Sequence, residues 1–281
     1  MQTYKDRVAA ITGAGSGMGR ALALELAARG CHLALSDVSA DTLAETERLL
    51  AEYPVTVTAT TLDVADRDAV FAFARDTRQA HGRVHMVFNN AGVALTDTVE
   101  HMRFDDFEWL MNINFWGVVN GTKAFLPYLK EVEEAHIANT ASIFGVITIP
   151  TQSAYHAAKF AVRGFTESLR QELAETPIGV SCILPGGVRT NIVRTSRYYA
   201  TDNEAPTKDE AAALFESFAG LSSEEATRII LAGVSRNRAH ILVGRDARFL
   251  SALQRLLPQS YPKVILRLAE RNRRRRAAAQ S

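Results

Sequence analysis

Short, continuously apolar segments alternate with longer segments of helical period along most of this chain. The β-branched run over 7–12 precedes a helical pattern over 18–29, and the alternation later includes a long helix over 104–130. Strands that are apolar on both faces belong in a parallel sheet covered by helices on both sides. The sequence therefore predicts an α/β fold with a doubly wound parallel sheet. Further strands are predicted at 31–36, 55–62, 84–89, 137–142, 180–184 and 240–243, and further helices at 41–52, 67–80 and 154–175.

One domain accounts for most of the 281 residues. No linker rich in Pro, Ser or Gly, no internal repeat and no change of composition occurs before about residue 190. A single domain over 1–257 is therefore predicted, followed by a basic tail over 258–281. After Pro258 there are seven basic residues and one acidic residue, which leaves 25 basic and 30 acidic residues in the rest of the chain. The body is mildly acidic and the tail is strongly basic.

The tail has two interpretations. Apolar residues keep helical spacing from Phe249 to Leu257 and continue beyond Pro258. A basic amphipathic end of this kind lies on an anionic membrane surface in some proteins. In others it packs on its own subunit or on a partner with the arginines in solvent, and this is the interpretation that we favour. Nucleic-acid binding is not predicted, because no aromatic or groove-reading element accompanies the arginines.

The two cysteines, Cys31 and Cys182, each lie inside an apolar run. This placement is typical of buried thiols in a reducing compartment, so neither a disulfide nor a metal site is expected. The N-terminus runs into the apolar strand at Val8 without room for a signal peptide. No apolar stretch reaches the ~20 residues of a membrane span. A cytoplasmic protein is therefore expected.

A glycine-rich turn from Thr12 to Gly19 connects the first predicted strand to the first helix. The strict spacing G-x-G-x-x-G is not met, since position 18 is Met, and the match is to G-x-x-x-G-x-G through Gly13, Gly17 and Gly19. Glycine removes the Cβ that would keep backbone N–H groups and a helix N-terminus away from a pyrophosphate. The turn predicts a dinucleotide site, although by itself it is also compatible with a plain tight turn.

Asp37 ends the second predicted strand about 20 residues further on, where a carboxylate accepts hydrogen bonds from ribose hydroxyls. Its charge would repel a 2′-phosphate, and no Arg or Lys directly follows it to offset the repulsion. NAD is therefore predicted in preference to NADP. A second interpretation is that Asp37 caps the next helix, a role that Ser39 also fits.

Tyr155 and Lys159 are four residues apart and share one face of the predicted helix. A free tyrosine titrates near 10, and an ammonium about 5 Å away would lower that pKa to about 8. Such a tyrosine exchanges protons near neutral pH. Ser142 ends a predicted strand, and the carboxyl ends of parallel strands face the ligand crevice. His156 points about 100° away from the tyrosine on a helix, so a structural role is predicted for it.

Taken together, these residues and several others resemble the short-chain dehydrogenase/reductase family. The resemblance extends from about residue 5 to about residue 195, with no departure at a catalytic position. It implies a Rossmann-type domain, a nicotinamide cofactor, and hydride transfer between a secondary alcohol and its ketone. The matching segments are Thr12 to Gly19, Asp63-Val64, Asn89 to Gly92, Asn114 to Gly117, Ser142, Tyr155 with Lys159, and Pro185 to Thr190.

The resemblance also implies a role for each site residue. Tyr155 would be the acid/base, Lys159 would lower its pKa and bind the nicotinamide ribose, and Ser142 would hold the substrate oxygen. Asn114 would hold a water that relays protons to Lys159. The implied cofactor contacts are Gly13, Gly15, Ser16, Gly17, Met18, Gly19, Asp37, Asp63, Val64, Asn90, Ala91, Gly92, Tyr155, Lys159, Pro185, Gly186, Val188 and Thr190.

Simpler interpretations of single residues stay open. Asn114 could satisfy backbone groups inside a buried helix, Ser142 could cap a turn, and Pro185-Gly186 could only end a strand. For the whole protein, the alternatives are an NADP(H)-dependent ketoreductase and a non-catalytic dinucleotide-sensing protein. The presence of the tyrosine, the lysine and the serine favours the enzyme.

The segment over about 191–222 loses its strand pattern and is expected to form a helical lid over the substrate. The residues after Ser142 are also apolar, with Phe144 and Ile147 among them. Both observations predict a bulky hydrophobic alcohol or ketone as the substrate. The family resemblance further implies a homodimer or homotetramer formed through the helices that carry Asn114 and Tyr155.

Overall fold

The computed structural model describes residues 3–199 and 207–267. The strands are β1 (Val8–Thr12), β2 (His32–Asp37), β3 (Val57–Thr61), β4 (Met86–Asn89), β5 (Leu95–Thr96), β6 (Ala135–Thr140), β7 (Ile178–Pro185), β8 (Arg197–Tyr198) and β9 (His240–Val243). The helices are α1 (Gly17–Ala28), α2 (Ala40–Leu50), α3 (Arg67–His81), α4 (Phe104–Met111), α5 (Gly117–Leu129), α6 (Ser153–Glu172), α7 (Lys208–Phe218), α8 (Ser223–Ser235) and α9 (Arg245–Leu256).

Seven of these strands form one parallel sheet in the order β3-β2-β1-β4-β6-β7-β9. Strand β1 pairs with β2 on one side, where Val8 lies opposite His32, and with β4 on the other, where Ala9 lies opposite Met86. The strand order reverses between β1 and β4, which opens a ligand crevice at the carboxyl ends of these strands. The predicted doubly wound α/β fold is confirmed.

The inner strands of the sheet, β1, β4 and β6, are buried on both faces, and successive residues of a strand enter different cores. Ile11 and Leu33 pack with α1 and α8 on one face, whereas Ala10 and Ala34 pack with α3, α5 and α6 on the other. This two-sided burial explains why the strands are continuously apolar in the sequence.

The predicted helix over 104–130 is interrupted. Between α4 and α5 the chain forms a π-helical turn over Asn112–Trp116. The interruption coincides with two close approaches. Asn114 bonds to the backbone of Val93, and a Cβ added to Gly117 would lie 2.7 Å from Val64 Cγ2. Contacts with distant residues therefore accompany this break in a segment whose local pattern is continuously helical.

Four of these elements were not predicted individually, the strands β5 and β8 and the helices α7 and α8. Strands β5 and β8 form a separate two-stranded parallel sheet, with Leu95 opposite Arg197. Helix α7 lies in the predicted lid, and α8 follows it. Each begins with a capping box, Thr207 with Glu210 and Ser222 with Glu225. Within the described part of the chain, no helix is long and apolar enough to cross a membrane.

The first part of the tail packs on the body of the same chain. Residues 261–267 are helical, and Tyr261 is buried among apolar side chains of α9 and of the loop after Ser142. This contact fits the interpretation in which the tail packs on its own subunit. The arginine run over 271–276 lies outside the described residues.

Candidate active site

The glycine turn depends on backbone conformations and close approaches that exclude side chains. Gly13 has φ 67° and Gly17 has φ 51°, in the left-handed region that favours glycine. A Cβ on Gly13 would lie 2.8 Å from Ala91 Cα, and one on Gly19 would lie 1.9 Å from the carbonyl oxygen of Gly13. Glycines at the predicted spacing are therefore required by the local geometry.

Helix α1 begins in this turn without a side-chain cap. Its N-cap residue, the exposed Ser16, makes no capping hydrogen bond, and the first helical turn has no acidic residue. By contrast, Ser39 caps α2 and Asp66 caps α3. The first N–H groups of α1 therefore have no side-chain acceptor of this kind. A helix N-terminus in this condition fits a pyrophosphate group.

Asp37 is held in place at the turn by backbone N–H groups. Its Oδ2 accepts from Gly15 N at 2.8 Å and its Oδ1 accepts from Ser39 N at 3.0 Å. Ser39 is itself the cap of α2, so the interpretation of Asp37 as the helix cap is wrong. An ionised carboxylate has about four acceptor sites, which leaves capacity for the two hydroxyls of a ribose.

The end of β4 is tied to the same turn. Thr12 Oγ1 accepts from Asn90 N at 3.0 Å and from Ala91 N at 3.1 Å. Asn90 Nδ2 donates to the carbonyl oxygen of Thr12 at 3.1 Å and to that of Gly13 at 3.3 Å. Asn90 and Ala91 therefore lie directly beside the glycine turn, and Gly92 follows them with an exposed backbone.

Asp63 and Val64 lie at the same edge of the sheet as Asp37, because they follow β3, whose Thr61 pairs with Asp37. Asp63 is exposed, and its Oδ1 accepts from Ala65 N at 2.9 Å. Val64 is buried, and its carbonyl oxygen accepts from Asn120 Nδ2 at 3.1 Å.

The loop after β7 reaches back to the glycine turn. Thr190 Cγ2 would lie 3.2 Å from a Cβ on Gly17. The loop is anchored by Gly186 N, which donates to the carbonyl oxygen of Val243 at 2.9 Å. Val188 is only 3% exposed and packs its side chain in the core, so the contact implied for it would be made by its backbone.

Helix α6 places Tyr155 and Lys159 side by side in a buried position. Lys159 Nζ lies 5.5 Å from the centroid of the Tyr155 ring and donates to the carbonyl oxygen of Thr140 at 3.0 Å. Ser142 lies at the phenol, just beyond the end of β6. Its Oγ accepts from Phe144 N at 3.1 Å and caps the short 3₁₀ turn that follows. Ser142 is thus a turn cap and a neighbour of the phenol at once.

Burial sets the protonation of this pair. It raises the pKa of Tyr155 to about 12, and the Ser142 hydroxyl opposes part of this rise. Burial also lowers the pKa of Lys159 to about 8. The expectation that Lys159 keeps the pKa of Tyr155 near neutral is therefore not met, because the same burial disfavours both charged forms. With this pKa, the phenol of Tyr155 is protonated at neutral pH.

Asn114 uses both ends of its side-chain amide on one residue. Its Oδ1 accepts from Val93 N at 2.8 Å, and its Nδ2 donates to the carbonyl oxygen of Val93 at 2.8 Å. A Cβ on Gly92 would lie 3.1 Å from Asn114 Oδ1 and 3.4 Å from Lys159 Nζ. The Asn114 amide and the Lys159 amine therefore both lie close to Gly92, while the amide bonds to the backbone of Val93.

The loop after Ser142 is held by His156. The imidazole Nδ1 lies 2.9 Å from the carbonyl oxygen of Phe144, and Nε2 accepts from Ile149 N at 3.0 Å. Tyr261 adds a further anchor, because Thr148 N donates to its hydroxyl at 3.1 Å. His156 therefore has the structural role that the sequence predicts.

Apolar side chains surround the tyrosine. Tyr155 lies in a buried cluster with Leu95 and Leu110, and the ring of Phe144 meets it edge to face at 6.1 Å. Ile192 of the predicted lid packs against the same cluster. Half-buried residues that also pack there are Val93, Ala94, Met102, Phe107, Trp109, Met111 and Phe115.

The chain matches a known family over most of its length. A family model described as short chain dehydrogenase matches residues 7–199. The chain belongs to the short-chain dehydrogenase/reductase family. The resemblance drawn from the sequence motifs is thereby confirmed.

Curated relatives of this short-chain dehydrogenase are oxidoreductases by name. A Mycobacterium tuberculosis (strain ATCC 25618 / H37Rv) protein named "Putative oxidoreductase SadH" is 46% identical over 269 residues, which cover 94% of this chain and 96% of that protein. Levodione reductase of Leifsonia aquatica is 36% identical over 196 residues, which cover 69% of this chain and 73% of the reductase.

Solved structures extend the match to the fold. A short-chain dehydrogenase/reductase from Burkholderia phymatum, in complex with NAD, superposes with a TM-score of 0.82. The two chains are 32% identical, and the match covers 92% of this chain and 96% of the other. The seven-stranded sheet and its helices are therefore those of a Rossmann-type short-chain dehydrogenase.

Two residues that hold the cofactor side of this short-chain dehydrogenase together were missed in the sequence. Arg20 Nη2 donates to the carbonyl oxygens of Gly15 at 2.5 Å and Thr42 at 3.0 Å. A cation in the first turn of a helix opposes the helix dipole, and this mismatch was the available signal. Asp246 accepts from Gly187 N at 2.6 Å, a contact across 59 residues that leaves no local signal.

Proposed function

We propose that this short-chain dehydrogenase interconverts a bulky hydrophobic secondary alcohol and its ketone, with NAD as cofactor. Family membership establishes an oxidoreductase, and the finer assignment is supported by one observation above all. The buried Tyr155 lies in an apolar cluster, beside the buried Lys159 and the Ser142 hydroxyl. A neutral phenol and a hydroxyl at one point form a donor pair for a carbonyl oxygen.

Proton transfer is assigned to Tyr155. When bound, NAD supplies a hydride acceptor and NADH a hydride donor. In ketone reduction, the protonated phenol of Tyr155 gives its proton to the oxygen on which negative charge develops. Ser142 Oγ accepts from Phe144 N, so its one hydrogen can be donated to the phenol or, when the substrate is bound, to that oxygen. Alcohol oxidation is the reverse of this step, so it starts from the Tyr155 phenolate, which takes up the hydroxyl proton of the alcohol as the hydride leaves.

The cofactor residues are proposed as a set around the uncapped start of α1. The glycine turn and the α1 N-terminus fit the pyrophosphate, and Asp37 fits the adenosine ribose. A carboxylate at this position disfavours a 2′-phosphate, which supports NAD over NADP. The Burkholderia phymatum relative was solved with NAD, and so was a relative from Mycobacterium paratuberculosis that is 26% identical.

The substrate class is proposed from the surroundings of Tyr155. Phe144 and Ile192 belong to the apolar shell of the tyrosine, one from the loop after Ser142 and one from the lid segment. A hydrophobic ring system buries its surface against such side chains, whereas a short diol leaves its second hydroxyl without a partner. Comparing turnover of decalin-sized alcohols with that of short diols tests this class, and a preference for the diols would contradict it.

Replacing Tyr155 by Phe tests the catalytic assignment. The variant keeps the ring and its edge-to-face contact but loses the proton, so turnover should fall at least about 10³-fold. Affinity for NAD, measured by calorimetry, should stay within about twofold, which also shows that the protein is folded. Activity is followed by the absorbance of NADH with a panel of alcohols and ketones. Retention of more than about 5% of the activity would reject the role of Tyr155.

The assembly is proposed to be a homodimer or homotetramer through the helices that bear Asn114 and Tyr155. Two large exposed apolar side chains on these elements support it, Trp116 at 47% exposure and Phe160 at 41%. Light scattering of the purified protein measures the mass, and a monomer would reject the proposal.

For the tail, packing on its own subunit is supported by the buried Tyr261. Cosedimentation with anionic vesicles tests the membrane alternative, in which removal of residues 268–281 would abolish the binding. A domain over 1–257 with a lid over about 191–222, and a cytoplasmic location, stay predictions from the sequence.

A further inference from the structure

Arg197, in β8, places its side chain against two residues of α4. Its guanidinium carbon lies 3.8 Å from the centroid of the Trp109 ring, and its Nη1 donates to Asp106 Oδ1 at 2.5 Å. The Asp106 side chain is only 6% exposed, whereas that of Arg197 is 40% exposed. A carboxylate this deeply buried needs a charged partner, and here that partner comes from the lid side of the molecule.

The backbone around Arg197 is docked on the body as well. Arg197 N donates to the carbonyl oxygen of Ala94 at 3.1 Å, and Tyr199 N donates to that of Thr96 at 3.0 Å. These bonds form the two-stranded sheet of β5 and β8. The lid segment over 191–199 is therefore held on the body by backbone pairing and by an ion pair whose carboxylate is buried.

Strand β5 is also tied to the helix that carries the catalytic tyrosine. Gln152 Nε2 donates to Thr96 Oγ1 at 2.7 Å, and Asp97 N donates to the carbonyl oxygen of Thr151 at 2.9 Å. Gln152 is the N-cap residue of α6, three residues before Tyr155. A chain of hydrogen bonds thus connects the lid segment, through β5, to the start of α6.

The aromatic partner of Arg197 contacts the apolar cluster around Tyr155, where the pocket for a hydrophobic substrate is proposed. Trp109 and Ile192 both pack against the buried cluster that contains Tyr155. Ile192 lies five residues before Arg197 in the same segment. Through Ile192 and through the contact of Arg197 with Trp109, this segment therefore touches the cluster at two places.

We propose that Arg197 is a positioning residue that latches the segment 191–199 onto α4 and thereby sets the closure of the pocket on a hydrophobic substrate. A planar guanidinium stacks on the indole and bonds to the carboxylate at the same time, which an ammonium does not reproduce. The kinetic consequence of the latch rests on the proposed function. Its structural part does not.

The structural part is tested by the fluorescence of Trp109 in the full-length protein without cofactor or substrate. The chain has two tryptophans, so Trp116→Phe leaves Trp109 as the only one. In that background, Arg197→Lys should raise quenching by acrylamide at least about twofold, because the stacked guanidinium no longer covers the indole. Unchanged quenching would overturn the latch.

A matched control is available at Arg103, the N-cap residue of α4, the helix that carries Trp109. Arg103 forms an ion pair with Asp105 at 2.9 Å, with both side chains more than 70% exposed, so Arg103→Lys makes the same chemical change at the surface. It should leave the quenching unchanged, and a rise equal to that of Arg197→Lys would also overturn the latch.

If Arg197→Lys impairs folding, the double variant Arg197→Met with Asp106→Asn removes both charges and leaves no unpaired carboxylate. It should raise the quenching as well.

The kinetic part is tested with the hydrophobic alcohol that the wild-type protein turns over best. Arg197→Lys should raise KM about tenfold, with kcat and the affinity for NAD within about twofold, because the latch acts on closure and not on proton transfer. A fall in kcat at constant KM, or no kinetic change despite raised quenching, would overturn the positioning role. If the wild-type protein turns over no alcohol or ketone, the proposed function fails, while the quenching still decides the latch.

Discussion

At the scale of single residues, the proposed preference for NAD over NADP rests on the carboxylate of Asp37. Replacing Asp37 by Ser removes the charge that repels a 2′-phosphate and one acceptor for the ribose hydroxyls. The ratio of kcat/KM with NAD to that with NADP should fall by about tenfold or more. Steady-state kinetics with both cofactors measures the ratio.

Asp41 provides the control for this change, because it is an exposed acid in the first turn of α2. Asp41→Ser should leave the ratio within about twofold of the wild-type value. An unchanged ratio in Asp37→Ser would remove the case for NAD.

For single residues, the sequence predicted which side chains lie together better than it predicted how deeply they are buried. The four-residue spacing of Tyr155 and Lys159 is a local property, and the structure places them together as the spacing requires. Their burial is a property of the whole fold, and it reverses the direction expected for the pKa of Tyr155. The ion pair of Arg197 with Asp106 was not predicted, because the two residues are 91 positions apart in the sequence.

At the scale of elements, the two ends of the glycine turn are in contact, so a methyl group added at one end displaces the backbone at the other. A Cβ on Gly19 would lie 1.9 Å from the carbonyl oxygen of Gly13, so Gly19→Ala must move the backbone. The free energy of unfolding should fall by about 2 kcal/mol, and the Kd for NAD should rise at least about tenfold. Urea denaturation and calorimetry measure the two effects.

Gly164 is the matched control for that substitution. It lies exposed in α6, and a Cβ there would meet no atom within 4 Å. Gly164→Ala should stabilise the protein by about 0.5–1 kcal/mol, because alanine is the better helix former. NAD affinity should not change. Equal destabilisation by both substitutions would mean that the close approach at Gly19 is not the cause.

Helices and strands with a regular pattern of apolar residues were predicted from the sequence, and elements without such a pattern were not. Helix α3 spans Arg67–His81 against a prediction of 67–80, and the core strands differ by few residues at each end. Strands β5 and β8 have two residues each, too few for any alternation to register. The capping boxes at Thr207 and Ser222 were available signals for α7 and α8. The π-helical turn at Asn114 has no signal in a local pattern that is helical throughout.

At the scale of the whole molecule, the parallel sheet explains why distant residues form one site. The glycine turn follows β1, Asp37 ends β2, Asn90 follows β4 and Ser142 follows β6. All parallel strands end at the same edge, so the topology gathers these residues whatever their separation in the chain. The alternation of strands and helices therefore predicts both the fold and the side of the sheet on which the site lies.

Two histidines are buried at the central sheet, and their burial should make the stability of the folded protein depend on pH. His85 and His136 are each 2% exposed. His85 Nδ1 accepts from Val8 N at 3.0 Å, and His136 Nε2 lies 2.8 Å from Ser181 Oγ. Burial lowers the pKa of His85 to about 4 and that of His136 to about 3. Both rings are therefore neutral in the folded protein at neutral pH.

Because both pKa values are depressed on folding, the unfolded chain binds more protons than the folded chain below about pH 6.5. The contribution of these groups to stability is complete above that value and is lost as the pH falls toward the folded pKa values. Two such histidines should lower the free energy of unfolding by on the order of 4 kcal/mol between pH 7 and pH 5. Urea denaturation at several pH values measures this change in the free energy of unfolding.

Replacing His136 by Gln should roughly halve the change between pH 7 and pH 5, whereas replacing the exposed His101 by Gln should leave the change as it is. A wild-type free energy of unfolding that is constant over this range would show that these rings are not neutral because of burial.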